Sequence, residues 1–131
     1  MDPIDVVKAF EKTWDNADAA AMPAFYTEDG TYTPAGEEPL TGEDIANYAA
    51  AVFAAFPDTK MPITRIFASG NLVAVEWVYS ATMTGAYGDI PATGKRFELT
   101  GAHIIEVEGD KIRSVLSRWD RLDMLQQIGA L

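Results

Sequence analysis

The sequence predicts an α+β protein in which helices cover one face of an antiparallel sheet. Apolar residues recur with a helical period up to residue 56, and from residue 72 onward they mostly alternate with polar ones. Gly109-Asp110 lies between two alternating runs, as is typical of a tight hairpin. Helices followed by hairpin-linked strands indicate an α+β fold and not a parallel α/β sheet. With no linker or repeat in 131 residues, we expect a single domain over residues 1–131.

Three helices are expected in the first half. Asp2-Pro3 begins the first, because Asp accepts hydrogen bonds from free amides and Pro is tolerated in the first turn. A second short helix is predicted over about residues 18–26, capped by Asp18. Thr41, with Asp44 three residues later, resembles a capping box for a third helix that ends at Phe56. The first helix carries an apolar stripe of Ile4, Val7, Phe10 and Trp14.

The strands are expected mainly in the second half. "EDGTYT" reads as a short early strand and "PAGEEPLTG" as a loop. Longer strands are predicted over 72–83, about 96–108, and 111–119, the last followed by a short helix that ends at Gly129. Neither face of the last strand is cleanly apolar, which a bulge or a subunit contact on the outer face would explain. "GAYGDIPATG" is interpreted as a loop at the mouth of a pocket.

The inward face of this arrangement is rich in aromatic rings. One interpretation is an ordinary hydrophobic core. The other is a curved sheet that encloses a pocket for an apolar or aromatic ligand, with Tyr32, Tyr48, Tyr79 and Tyr87 as polar groups. The candidate wall residues are Trp14, Tyr32, Phe53, Phe56, Trp77, Tyr79 and Met83.

Composition excludes several classes of function. The formal net charge of -10 argues against nucleic acid and against anionic membrane surfaces. The chain has no cysteine and one histidine, so we expect no disulfide, no thiolate nucleophile and no metal site. The N-terminus "MDPIDVV" does not resemble a secretory signal, and no apolar stretch is long enough to span a bilayer. The expected location is the cytoplasm.

His103 and Asp120 are the two polar residues that call for an explanation. Alternation places His103 on the apolar face of its strand, where it is either a satisfied core residue or a proton carrier facing a ligand. Asp120 precedes the last helix, so an N-cap role is sufficient to explain it. The spacing alone does not choose between capping and catalysis for Asp120.

Four segments carry a resemblance to a known family: "FPD", "PATGKRFELTG", "IIEVEGDKI" and "WDRLDMLQQIG". In this order and spacing they resemble the SnoaL-like polyketide cyclases of the NTF2-like superfamily. The resemblance implies a cone-shaped α+β barrel in which three N-terminal helices pack on a strongly curved antiparallel sheet, with a short C-terminal helix. It also implies intramolecular aldol cyclisation of a polyketide ester without a cofactor.

The resemblance further implies roles for two residues. Asp120 matches the aspartate that removes a proton next to carbonyl groups, and His103 fits the usual companion histidine. An apolar, poorly hydrated surrounding would make the carboxylate a stronger base. Relatives of this fold also include ketosteroid isomerases, epoxide hydrolases, dehydratases and non-catalytic ligand binders. The alternatives are therefore a non-catalytic small-ligand-binding protein or another of these activities, namely isomerase, dehydratase or epoxide hydrolase.

A third hypothesis concerns self-association. Val78, Val115 and Trp119 are expected on the outer face of the sheet, where an apolar surface would favour a homodimer. Such an assembly is compatible with either a catalytic or a binding role.

Overall fold

The computed structural model describes residues 2–131. Within these residues, two helical segments, two strands, a helix and four consecutive strands precede a short last helix. The elements are α1 (Pro3–Asp15), a 3₁₀ helix (Ala19–Phe25), β1 (Tyr26–Thr33), β2 (Leu40–Thr41), α2 (Glu43–Ala55), β3 (Ile63–Ser69), β4 (Leu72–Thr82), β5 (Arg96–Glu108), β6 (Lys111–Arg118) and α3 (Arg121–Gln127).

The six strands form one curled sheet in the order β2-β1-β6-β5-β4-β3. This confirms the predicted α+β class, with two corrections. The pairing of β1 with β6 is parallel, whereas the other pairs are antiparallel. Strands β2 and β3 were not expected, because β2 has only two residues and most of β3 is exposed, which leaves no clear alternation.

The observed types and N-caps of the first three helical segments agree only in part with those predicted from the sequence. The Asp2 carboxylate accepts a hydrogen bond from the Ile4 amide at 2.8 Å and caps α1 as expected. The second segment is a 3₁₀ helix, and Pro23 within it has no amide hydrogen for an α-helical bond. The capping box for α2 is wrong: within the described chain the N-cap is Gly42, at φ +57°, with no side-chain cap.

The mixed pattern of β6 comes from a bulge. Val107 pairs with Ile112, but Glu106 pairs with Ser114, so Arg113 is an extra residue on β6. The bulge changes which positions face inward after it. Ile112, Val115 and Ser117 are consequently all buried.

The core lies between the concave face of the sheet and the helical segments. Alternate residues of β4 and β5 point into it, as the sequence predicts. Among residues 2–131, no helix combines the length and apolar character needed to cross a membrane. The largest fully buried apolar side chains are Phe10, Met22, Phe56, Trp77, Met83, Phe97, Ile105, Ile112 and Ile128.

Candidate functional site

A small cavity lies inside the concave face of the sheet. Its volume is about 40 Å³, enough for a few water molecules and much less than the deep cavity that the resemblance implies. Bulky aromatic side chains fill most of the space. The lining residues are Trp14, Tyr32, Tyr48, Val52, Phe56, Met61, Trp77, Tyr79, Tyr87, His103, Ser117, Trp119 and Met124.

His103 reaches the cavity from β5 and pairs with a buried acid. Its Nδ1 lies 2.6 Å from Oε1 of Glu11, and each side chain is only 1% exposed. A carboxylate oxygen accepts, so in this contact Nδ1 of His103 is the donor and Nε2 is left for another partner. Within the described chain, the other Glu11 oxygen, Oε2, is buried without a partner. Glu11 is thus the acceptor of the pair, and Nε2 of His103 is the ring nitrogen left for another partner.

Glu11 was not anticipated from the sequence, although a signal for it existed. It follows Val7 by four residues and precedes Trp14 by three, which places it on the inward stripe of α1. The buried face of the helix includes Glu11 together with those two residues. A carboxylate on an apolar stripe requires a buried partner, and the only histidine is that partner.

Four aromatic rings surround the imidazole of His103. The ring centroid of Trp77 lies 5.2 Å away in an edge arrangement, and Trp14 and Tyr32 lie at 6.1 Å. Phe10 completes the group at 6.5 Å. These are edge and tilted contacts, and Glu11 is the acid beside the imidazole. The aromatic rings therefore hold the imidazole in place and exclude bulk water from it.

Two tryptophans that line the cavity have indole N–H groups with no acceptor among the described residues. Trp14 and Trp77 are 4% and 1% exposed, and neither Nε1 finds a hydrogen-bond partner within residues 2–131. The position of Trp77 is constrained by Gly101, the residue opposite it on β5. A Cβ at Gly101 would overlap Cη2 of the indole, so only glycine leaves room for the ring.

The phenols of the cavity are held in their neutral form. Burial raises the pKa of Tyr32, Tyr48 and Tyr79 above the usual value of an exposed phenol. The Tyr79 hydroxyl lies 3.1 Å from Oγ1 of Thr59. These hydroxyls are therefore neutral near pH 7 and can donate or accept hydrogen bonds, but they do not act as phenolate bases.

The structure does not bring Asp120 to the cavity. After the bulge, Ser117 and Trp119 face inward, so strand alternation turns Asp120 outward. Its side chain is exposed and accepts a hydrogen bond from the Asp123 amide at 3.0 Å as the N-cap of α3. The expected poor hydration of Asp120 is therefore wrong, and a catalytic role for this residue stays an untested prediction.

The expected wall residues divide into two groups. Five of the seven line the cavity, whereas Phe53 and Met83 lie in the core behind it. Phe53 packs edge-on against Trp14 at 5.5 Å. Tyr48 and Tyr87, expected as polar groups, also line the cavity, and Tyr87 comes from the "GAYGDIPATG" loop. The residues not expected there are Val52, Met61, Ser117, Trp119 and Met124.

Comparison with known proteins assigns the family. The profile of a family described as SnoaL-like polyketide cyclase matches residues 4–128. The chain belongs to this family. SnoaL-like proteins share the NTF2-like fold, in agreement with the curled sheet and its helices. No functionally curated protein gives a significant match to the sequence.

Solved structures support the fold of this SnoaL-like chain. A Catenulispora acidiphila protein with a ketosteroid isomerase-like fold, solved with trimethylamine, is 25% identical, with a TM-score of 0.82 over 95% of this chain and 92% of that one. IdmH from Streptomyces antibioticus, proposed to be a polyketide cyclase, is 22% identical, with a TM-score of 0.85 over 98% and 99%. AclR from Streptomyces galilaeus, proposed to be a hydroxylase, is 17% identical, with a TM-score of 0.86 over 98% and 82%.

Proposed function

We propose that this SnoaL-like protein is an acid–base enzyme that acts on an apolar carbonyl compound, with His103 as the proton carrier. The observation that carries the proposal is the buried 2.6 Å contact between His103 and Glu11 at the wall of the cavity. Glu11 fixes the ring orientation and leaves Nε2 available to a ligand. This arrangement supplies a base without help from Asp120.

The proposed reaction begins with proton transfer from carbon. Nε2 of His103 accepts the proton next to a carbonyl group, and the C–H electrons form an enolate whose charge rests on the carbonyl oxygen. In an aldol cyclisation, the enolate carbon then bonds to a second carbonyl carbon of the same molecule. The resulting alkoxide takes the proton back from the imidazolium. General acid–base catalysis of this kind typically contributes about 10²–10⁴-fold in rate.

The cavity lining indicates the class of substrate. Within the described chain, no lysine or arginine lines it, so an ionised ligand would lose its hydration without a counter-charge. Aromatic walls favour a ring-containing, uncharged compound. The volume of about 40 Å³ holds only a few water molecules as it stands. Any ring-containing substrate, from a single-ring ketone upward, therefore requires movement of half-buried side chains such as Tyr87 and Trp119.

Deuterium exchange tests this proposal without knowledge of the natural substrate. Acetophenone is a small aromatic ketone whose methyl protons exchange slowly in neutral D₂O, and proton NMR follows their loss. We expect the wild-type protein to accelerate the exchange, and His103→Gln to remove about 10²-fold or more of that acceleration. If the wild-type protein binds acetophenone but its methyl protons exchange only at the uncatalysed rate, the result would favour a non-catalytic binding protein.

We also propose that the protein forms a homodimer through the outer face of the sheet. Phe67, Ala74, Ile104 and Leu116 are register partners on four successive strands and form an apolar row on that face. Phe67 is 67% exposed, and Ile104 and Leu116 are 39% and 36% exposed. A row of this length can match a second copy of itself about a two-fold axis.

The expected interface residues are corrected accordingly. Val115 is fully buried and Trp119 lines the cavity, so only Val78 of the three remains on the outer face. Leu116→Glu should convert a dimer into a monomer in sedimentation-velocity measurements, because it places a charge in the apolar row. Leu122→Glu, at an exposed position in α3, is the matched control. A wild-type monomer at high concentration would contradict this proposal.

A further inference from the structure

We infer that the indole N–H groups of Trp14 and Trp77 receive the acceptor oxygens of the bound ligand beside His103. The inference deepens the proposed function, since it rests on that site and identifies the recognised feature as a carbonyl oxygen. It assigns these two residues to ligand recognition, beyond their role as apolar walls.

The first argument is the state of the two donors. Buried indole N–H groups usually have a hydrogen-bond partner, because an unpartnered donor loses its hydration without compensation. Both Nε1 atoms are buried without a partner among the described residues, and both side chains line the same cavity. The fold accommodates two such donors in one place, which is expected when a ligand supplies the acceptors.

The second argument is the position of the two indoles. Their ring centroids lie 6.1 and 5.2 Å from the imidazole of His103, so both indoles are within reach of a small ligand bound at the imidazole. Trp77 cannot shift freely towards β5, since it already rests against the backbone at Gly101. The Trp77 donor is thus held in place before a ligand arrives, which is the condition for stabilising developing negative charge.

The third argument concerns selectivity. The two indole N–H groups can only donate, whereas the phenols and the Ser117 hydroxyl of the cavity can both donate and accept. A ligand oxygen that only accepts, as in a ketone, matches the indoles, and a hydrocarbon of the same shape leaves both donors unpartnered. The cavity should therefore bind a carbonyl compound more tightly than its hydrocarbon analogue, and the difference in affinity should exceed what their different apolar surface areas account for.

The test uses acetophenone and α-methylstyrene, in which a C=CH₂ group replaces the C=O group at nearly the same shape. The chain has three tryptophans, so a ¹⁵N-labelled sample gives three indole signals, assigned with the single variants Trp14→Phe, Trp77→Phe and Trp119→Phe. We expect acetophenone to move the Trp14 and Trp77 N–H protons downfield, and α-methylstyrene to leave them nearly unchanged. The Trp119 signal is the internal reference and should respond similarly to both ligands.

Affinities measured in the same titrations provide a second criterion. We expect the wild-type protein to prefer acetophenone over α-methylstyrene, and each of Trp14→Phe and Trp77→Phe to reduce this preference by roughly threefold to tenfold. Using the ratio of two affinities removes the effect of lost ring volume, which weakens both ligands. Equal affinities in the wild-type protein, or indole signals that respond identically to both ligands, would overturn the inference and assign the donors to water.

The outcome separates this inference from the proposed function. Downfield shifts without any deuterium exchange would support recognition of the oxygen and contradict the enzyme. Exchange that requires His103, without indole shifts, would support the enzyme and contradict the role of the two tryptophans.

Discussion

At the scale of single residues, the account depends on the pair formed by Glu11 and His103. The sequence alone identified His103, because strict alternation in β5 determines its face. It did not identify Glu11, since its partner lies 92 positions away along the chain. A helical stripe can indicate that an acid faces inward, but only the packing of α1 against the sheet decides what it meets.

Substitution of Glu11 separates its charge from its hydrogen bond. Glu11→Gln keeps an oxygen that accepts from Nδ1, so the free energy of unfolding should fall by less than in Glu11→Leu, which leaves the buried imidazole unpartnered and should cost about 1–3 kcal/mol. Both variants should slow deuterium exchange, because the imidazolium loses its negative neighbour. Urea unfolding and the exchange assay measure the two effects. Unchanged exchange in Glu11→Leu would contradict the positioning role.

At the scale of elements, the bulge in β6 decides which polar residues reach the cavity. The sequence pattern indicated that β6 was irregular, but it did not locate the extra residue, because a bulge depends on the register with β5. Placing Arg113 as the extra residue turns Asp120 outward, and the family resemblance alone could not reveal this. The direction of one catalytic candidate therefore follows from strand register and not from local sequence.

The cap of α3 gives a prediction about Asp120. An Asn side chain at position 120 would accept the hydrogen bond from the Asp123 amide about as well as Asp does. Asp120→Asn should therefore leave the free energy of unfolding nearly unchanged. Asp120→Ala removes the acceptor and should cost about 1 kcal/mol. Chemical denaturation of the two variants beside the wild-type protein measures the difference. Equal stability of both variants would show that the cap contributes nothing.

The contact between Trp77 and Gly101 gives a second prediction at this scale. Gly101→Ala places a Cβ that overlaps the indole of Trp77, so the ring or the strand must shift, at a cost of about 1–3 kcal/mol. Thr100→Ala, on the exposed side of the same strand, is the matched control and should change stability by less than about 0.5 kcal/mol. Thermal unfolding compares them. A fully stable Gly101→Ala protein with an unchanged Trp77 indole signal would contradict the constraint on this ring.

At the scale of the whole molecule, the fold class and the inward face of β4 and β5 could be predicted from the sequence. Both depend on local periodicity, which the residues themselves display. The parallel pairing of β1 with β6 and the small cavity could not, because they result from contacts between distant segments and from how the aromatic side chains fill the interior. The overall architecture can therefore be predicted from the sequence more reliably than the size of the cavity inside it.

One surface ion pair makes the stability of the molecule depend on pH. The Arg65 guanidinium, together with the Thr64 hydroxyl, lowers the pKa of Glu76 to about 2. A lowered pKa in the folded state means that this contribution is present above about pH 4.5, the ordinary value, and is lost as the pH falls towards 2. Urea midpoints at pH 5 and pH 3 should differ less in Glu76→Gln than in the wild-type protein. Arg65→Gln should behave in the same way, and a wild-type pH dependence in both variants would contradict the assignment.

The most direct measurement compares the deuterium exchange of acetophenone by His103→Gln and Asp120→Asn under identical conditions. The account predicts that His103→Gln loses about 10²-fold or more of the catalysed rate. It predicts that Asp120→Asn retains nearly all of it, because that side chain faces solvent and caps α3. Loss of exchange in Asp120→Asn with full activity in His103→Gln would contradict the account.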